Sequence, residues 1–160
     1  MSTATPTIYK GLIGVYADVS AVSKVMPETN SLTYRGYAVQ DLCEEADFEQ
    51  VAYLLWHGEL PTRAQLQTFQ AEERANRALS PALLNVLRQI PRDAHPMDAI
   101  RTAVSFMGTE DPEAADVSGA AQRRKAMRLL AKLPTAVAAT NRLSKGLDPI
   151  DPDPSLPYCE

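Results

Sequence analysis

The chain has 160 residues, of which 45% are apolar and 22% charged, with a formal net charge of −4. That length supports one domain with a real core, and the balance is ordinary for a globular protein. The negative balance argues against nucleic acid or an anionic membrane as main partner, because phosphate binding needs a concentrated positive field. No uncharged apolar run is long enough to span a bilayer.

Met1 to Thr7 is small and polar, with neither the basic start nor the apolar stretch of a secretory signal. It is expected to be disordered, in a cytoplasmic protein. Cys43 and Cys159 stand far apart and suggest neither a disulfide framework nor a zinc site. Residues 8–37 read as a β arm and hairpin. The β-prone runs Val22 to Met26 and Ser31 to Arg35 flank a Pro27-Glu28-Thr29-Asn30 turn signal, and Leu12 to Val19 supplies a further strand or extended arm.

Residues 38–146 read as helical. Val39 to Glu45 makes a short helix. Asp47 with Gln50 is a capping-box pair opening a helix that carries Phe48, Val51, Ala52 and Leu55 and ends at Gly58. Thr62 with Gln65 repeats the signature for a helix through Leu66 and Phe69 to about Leu79. Ser80-Pro81 starts the next, which buries Leu83, Leu84, Leu87 and Ile90 before Pro91. His95-Pro96 opens another, with Met97, Ile100, Val104 and Met107 on one face and Gly108 at its end. An acidic linker, 109–118, precedes a long helix from about Gly119 to Lys145. Pro134 should bend it, and its alanines (Ala131, Ala136, Ala138, Ala139) allow close helix approach. Residues 147–160, with Pro149, Pro152, Pro154 and Pro157, form an extended tail. The fold class is therefore mainly α with a small N-terminal β element.

Few residues offer chemistry. His57, beside Gly58, suits a helix C-terminal cation better than a general base, since nothing in the sequence pairs it with a nucleophile. His95 suits a helix start. Asp41, Glu44, Glu45, Asp47 and Glu49 lack the turn geometry of a hard-metal loop and read as a solvated face plus one N-cap. Arg123-Arg124-Lys125 follows the acidic linker and reads as a solvated face rather than a phosphate grip. Cys43 reads as a small core residue. No phosphate loop, dinucleotide fingerprint or serine elbow occurs. From the residues alone, no catalytic, cofactor-binding or metal-binding position can be assigned.

Ordered motifs carry a resemblance. KGLIG at 10–14, LTYRGYAVQDL at 32–42, FEQVAYLLWHGELP at 48–61, HPMDAIRT at 95–102, and the run from Ala126 through Leu133-Pro134-Thr135 to Gly146 resemble successive segments of the citrate synthase family, in order and at natural spacing. The stretch VSKVMPETNSLTY at 22–34 resembles bacterial 2-methylcitrate synthases, especially actinobacterial ones, more than generic citrate synthases. The resemblance implies the N-terminal part of a large helical domain, joined in the family by a smaller domain with the site between them, in a homodimer. It implies condensation of acetyl- or propionyl-coenzyme A with oxaloacetate, followed by thioester hydrolysis, with no metal or prosthetic group. In the family an aspartate takes the proton, histidines stabilise the enolate and polarise the ketone, and arginines hold carboxylates. Its catalytic histidines lie in His-Gly-Gly and Gly-His-Arg-Val-Tyr segments, which this sequence lacks. His57 and His95 match family positions that are not catalytic. The expectation is a fragment inactive alone, ending where the family enters its next helix. Some of its apolar helix faces should lack their neighbours. The alternative is a non-enzymatic helical module retaining the scaffold for binding or regulation.

Overall fold

A computed structural model describes residues 8–16 and 18–159; the expectation for residues 1–7 lies outside this range. Strand β1 (Ser23–Met26) pairs antiparallel with β2 (Ser31–Tyr34), placing Ser23 opposite Tyr34 and Met26 opposite Ser31. A 3-10 turn, Pro27–Thr29, and a left-handed Asn30 join them. The hairpin therefore stands where the Pro-to-Asn signal puts it. Arg35 and Gly36 both take positive φ, 50° and 93°, the geometry of a two-residue type I′ turn. That turn returns the chain as β3 (Tyr37–Ala38), completing a sheet in the order β1-β2-β3 and carrying strand structure one residue beyond 37. Among the described residues of Leu12 to Val19 no strand forms, which leaves the alternative of an arm. Lys10–Leu12 is a 3-10 turn with Gly11 at φ 63°, and Ile8, Ile13, Tyr16 and Val19 are exposed without a pairing neighbour.

Six helices follow: α1 (Val39–Glu45), α2 (Phe48–His57), α3 (Arg63–Ala75), α4 (Pro81–Gln89), α5 (Pro96–Glu110) and α6 (Gly119–Ser144). Helices α2, α3, α4 and α5 start on the expected residues Asp47, Thr62, Ser80 and His95, and α6 starts on Ser118, which is not among them. The Asp47 N–H donates to Gln50 Oε1 at 2.8 Å. Thr62 and Gln65 bond reciprocally, N–H to side chain, at 2.8 and 3.4 Å. Ser80 Oγ accepts from Leu83 N–H at 3.0 Å, and Ser118 Oγ from Ala121 N–H at 3.3 Å. Each contact satisfies an amide that has no partner within the first helical turn.

Two helix ends differ from expectation. Helix α3 stops at Ala75 rather than near Leu79, because the Asn76 side chain donates to the Glu72 carbonyl at 2.8 Å and closes the ladder. Helix α5 runs past Gly108 to Glu110, whose carboxylate accepts the Ser80 hydroxyl at 2.7 Å. The buried face of α5 also shifts. Ala99, Ala103 and Met107 are buried, whereas Met97 is 64% exposed and Val104 36%. The small residues win the inner face because they let helices approach closely.

The main core joins Leu83 and Leu87 of α4, Ala103 and Met107 of α5, and Ala136 and Ala139 of α6. Leu79, Ile90, Phe106 and Leu143 pack around it. Beside it, Phe69 of α3 receives Tyr53 and Trp56 of α2 edge-on, with centroids 5.7 and 5.6 Å away. Arg35 ties the hairpin to α2, donating through Nε and Nη2 to the Leu55 carbonyl at 3.1 and 2.6 Å. Leu129, Leu133 and Val137 on the outer side of α6 remain open, in line with the expected uncovered face, although Met127 is buried.

Helix α6 continues through Pro134 as one helix. It ends in a Schellman motif: Gly146 N–H donates to the Leu143 carbonyl and Leu147 N–H to that of Arg142, each at 2.9 Å. The tail then folds back over the body. Arg77 Nη1 donates to the carbonyls of Asp153 and Leu156 at 3.2 and 2.9 Å, and the Tyr158 ring stacks on Phe48 at 4.4 Å.

Candidate functional site

The residues that sequence reasoning singled out do not converge. His57 is exposed at the end of α2, stacked on Tyr53 with centroids 4.0 Å apart. Partial desolvation, then the positive charge of Arg123, pulls its imidazole below the usual range, so it is a poorer C-terminal cation than expected. His95 is the N-cap of α5, its Nδ1 accepting from Met97 N–H at 3.2 Å. Neither faces a nucleophile. Cys43 is exposed rather than buried, because the inward position of α1 belongs to Leu42. Among the described residues no group of His, Cys, Asp and Glu side chains has the closeness of a metal site.

Two polar constellations do form, and both use residues expected on solvated faces. The first is buried. Glu49, Glu73 and Arg77 are 5%, 1% and 8% exposed. Arg77 grips Glu73 through Nε and Nη2 at 2.8 and 2.7 Å, while Glu49 Oε1 accepts the Tyr158 N–H at 3.2 Å. Only Asp41, Glu44, Glu45 and Asp47 of the acidic stretch remain on the surface. The Glu73 bond holds the Arg77 proton more firmly than usual. Burial, and then the Glu73 charge, push the Tyr158 phenol up. The i,i+4 spacing of Glu73 and Arg77 was a usable signal for the pair; nothing local announced that Glu49 and Tyr158 would join it.

The second constellation clasps the acidic linker to α6. Arg124 pairs with Glu113, Arg128 Nη2 reaches Asp111 at 2.8 Å and Glu113 at 2.9 Å, and Lys125 Nζ donates to the Asp116 carbonyl at 2.6 Å. Arg124 and Lys125 of the basic triplet are thus engaged, although the Arg124 side chain stays on the surface as expected. Beneath the clasp lies a cleft of about 330 Å³ between the end of α5, the linker and α6, floored by Val104, Met107 and Leu129 and rimmed by Lys132.

The Arg124 bond, then the Arg128 bond, hold Glu113 at about 2, and Arg128 lowers Asp111. Both acids titrate lower in the folded chain than in the unfolded one. Their stabilisation is therefore complete above the unfolded value, near 4.5 for Glu113, and falls away as pH drops toward about 2. An Arg128→Gln variant is expected to show a shallower loss of stability across that window, read from urea midpoints at successive pH values. An unchanged slope would show that the clasp does not persist in solution.

Comparison decides the ancestry. Residues 11–160 match the family model described as "Citrate synthase, C-terminal domain". The chain belongs to the citrate synthase family. It is 54% identical over 155 residues to a 2-methylcitrate synthase of Mycobacterium tuberculosis, covering 97% of this chain and 39% of that protein. It is equally identical over 161 residues to 2-methylcitrate synthase 2 of Corynebacterium glutamicum, covering 100% of this chain and 42% of the relative. The solved citrate synthase of Pyrobaculum aerophilum superposes with a TM-score of 0.87 at 31% identity, over 94% of this chain and 40% of that one. The chain thus spans about two-fifths of the length of these relatives, matching their N-terminal portion. Of the family motifs, LTYRGYAVQDL runs through β2 and β3 into α1, FEQVAYLLWHGELP covers α2, HPMDAIRT opens α5 and the run from Ala126 lies in α6, while KGLIG, similar to the family's opening strand, holds a 3-10 turn.

Proposed function

We infer that the chain is the N-terminal scaffold of a 2-methylcitrate or citrate synthase, whose complete form condenses propionyl- or acetyl-coenzyme A with oxaloacetate and hydrolyses the product thioester. The observation that carries the reading is 54% identity to a 2-methylcitrate synthase across 97% of the chain. The complete enzyme is a cytoplasmic homodimer that needs no metal or prosthetic group.

The reaction requires a base beside the thioester carbonyl, a donor at the developing enolate and cations at the substrate carboxylates, all held at near-attack distances. The two histidines here are exposed, one in an aromatic stack and the other in a helix cap. The buried carboxylates already hold Arg77 and the Tyr158 amide. The division of labour follows. This portion supplies helices against which later segments pack, and those segments bring the catalytic groups.

Thiol release from acetyl- and propionyl-coenzyme A in the presence of oxaloacetate is the test. The 160-residue chain is expected to give no release above background. The same chain continued by in-frame sequence carrying the His-Gly-Gly and Gly-His-Arg-Val-Tyr segments should turn over. Substrate-dependent release by the 160 residues alone would place catalytic groups among them and overturn this division. Absence of any such continuation downstream of Glu160 in the gene would favour the non-enzymatic module.

A further inference from the structure

Proline at position 134 removes the amide that would bond the Leu130 carbonyl, and its ring crowds that same oxygen. The orphaned carbonyl is nevertheless satisfied: the Tyr158 hydroxyl donates to it at 3.1 Å. The donor comes from the tail, 28 residues away. Around this bond the tail makes three other kinds of contact, two with α2 and one with Arg77. Its Tyr158 ring stacks on Phe48 of α2 at 8° between planes, and its Tyr158 amide donates to Glu49. Its Asp153 and Leu156 carbonyls accept from Arg77, beyond the end of α3. Tyr158 also forms one wall of an apolar hollow of about 540 Å³ whose other walls are Leu133, Pro134, Val137, Ala138 and Asn141.

We propose that residues 153–158 are a latched strap, in which the carbonyl freed by Pro134 is the catch, Tyr158 the latch and Arg77 the anchor, and that the strap opens as one unit to widen the hollow beside Pro134. Pro134 thus has a role besides shaping the helix. It presents a backbone acceptor on the side of α6 that an uninterrupted helix would have used up internally. The strap reads that acceptor with the only hydroxyl in the tail borne on a ring long enough to reach it while stacked on Phe48. The remaining contacts to Glu49 and Arg77 then align the strap backbone, so loss of the latch should loosen all of them together.

The test is a double-mutant cycle of Tyr158→Phe and Pro134→Ala, read by amide hydrogen exchange in the 160-residue chain. Tyr158→Phe keeps the stacked ring and removes only the hydroxyl. In the presence of Pro134 it is expected to raise exchange at amides 156 and 158 about fivefold, the loss of one hydrogen bond. Pro134→Ala restores the helical amide, which takes the Leu130 carbonyl, so adding Tyr158→Phe to that background should change exchange by less than about twofold. Amides 136–139 of α6 serve as the control for an intact helix and should stay protected throughout. An equal effect of Tyr158→Phe in both backgrounds would show that the hydroxyl does not read the proline notch. No effect in either would show that it is not a latch. A change at amide 158 without one at 156 would overturn opening as a unit.

Discussion

Replacing Arg77 with methionine is expected to destabilise the chain by about 3–5 kcal/mol, the usual result of leaving one partner of a buried ion pair alone. The side chains of Arg77 and Glu73 are 10% and 1% exposed, so water cannot rehydrate the abandoned carboxylate without moving α3. The same substitution removes Nη1, the donor to both tail carbonyls. The urea midpoint should fall steeply with little change in slope. The double variant Glu73→Met with Arg77→Met should recover part of the loss, since it removes the stranded charge as well. A cost below about 1 kcal/mol for Arg77→Met alone would mean that the pair is solvated in solution.

Leu83→Ala is the second large effect, at about 2–5 kcal/mol. Leu83 is 1% exposed and sits among Leu87, Ala103, Met107, Ala136 and Ala139. Three of those neighbours are alanines, which have no side-chain rotamers with which to fill the space vacated. Relaxation must then come from whole helices, and the cavity stays largely open. Leu129→Ala, at a position 39% exposed, should cost less than about 1 kcal/mol. Equal midpoints for the two variants would show that the α4–α5–α6 core is looser than its burial indicates.

What could be read beforehand was local. A cap is a conversation between residues three apart, and the boxes at Asp47 and Thr62 and the serine at Ser80 open helices where their spacing says they should. Helix faces were less legible. Along α5 a count of large apolar residues selects Met97 and Val104, but the inner face belongs to Ala99 and Ala103, because closeness of approach outweighs side-chain size there. Charges were harder still. Glu49 looks like its acidic neighbours, and the amide it accepts from, that of Tyr158, lies 109 residues later. The proline-rich tail has no period to analyse, so its extended character was readable and its docking was not. The ordered family motifs, being distributed along the whole chain, identified the fold despite these local errors.

The tail contacts also set an order of events. The core joins α4 to α5 and α6, and the tail contacts reach further still: Arg77 meets its carbonyl partners 76 and 79 residues on, and Glu49 waits for Tyr158, 109 residues on. Closing loops of that length is entropically slow, and each such contact rewards the chain only once the loop is shut. On a ribosome delivering residues from the N-terminus, α2 and α3 emerge long before residue 158. Until then Glu49 lacks the amide it accepts from, and Phe48 lacks its stacking partner. The nascent chain therefore carries an unfinished seam at Phe48 and Glu49 until the segment around Tyr158 has been delivered.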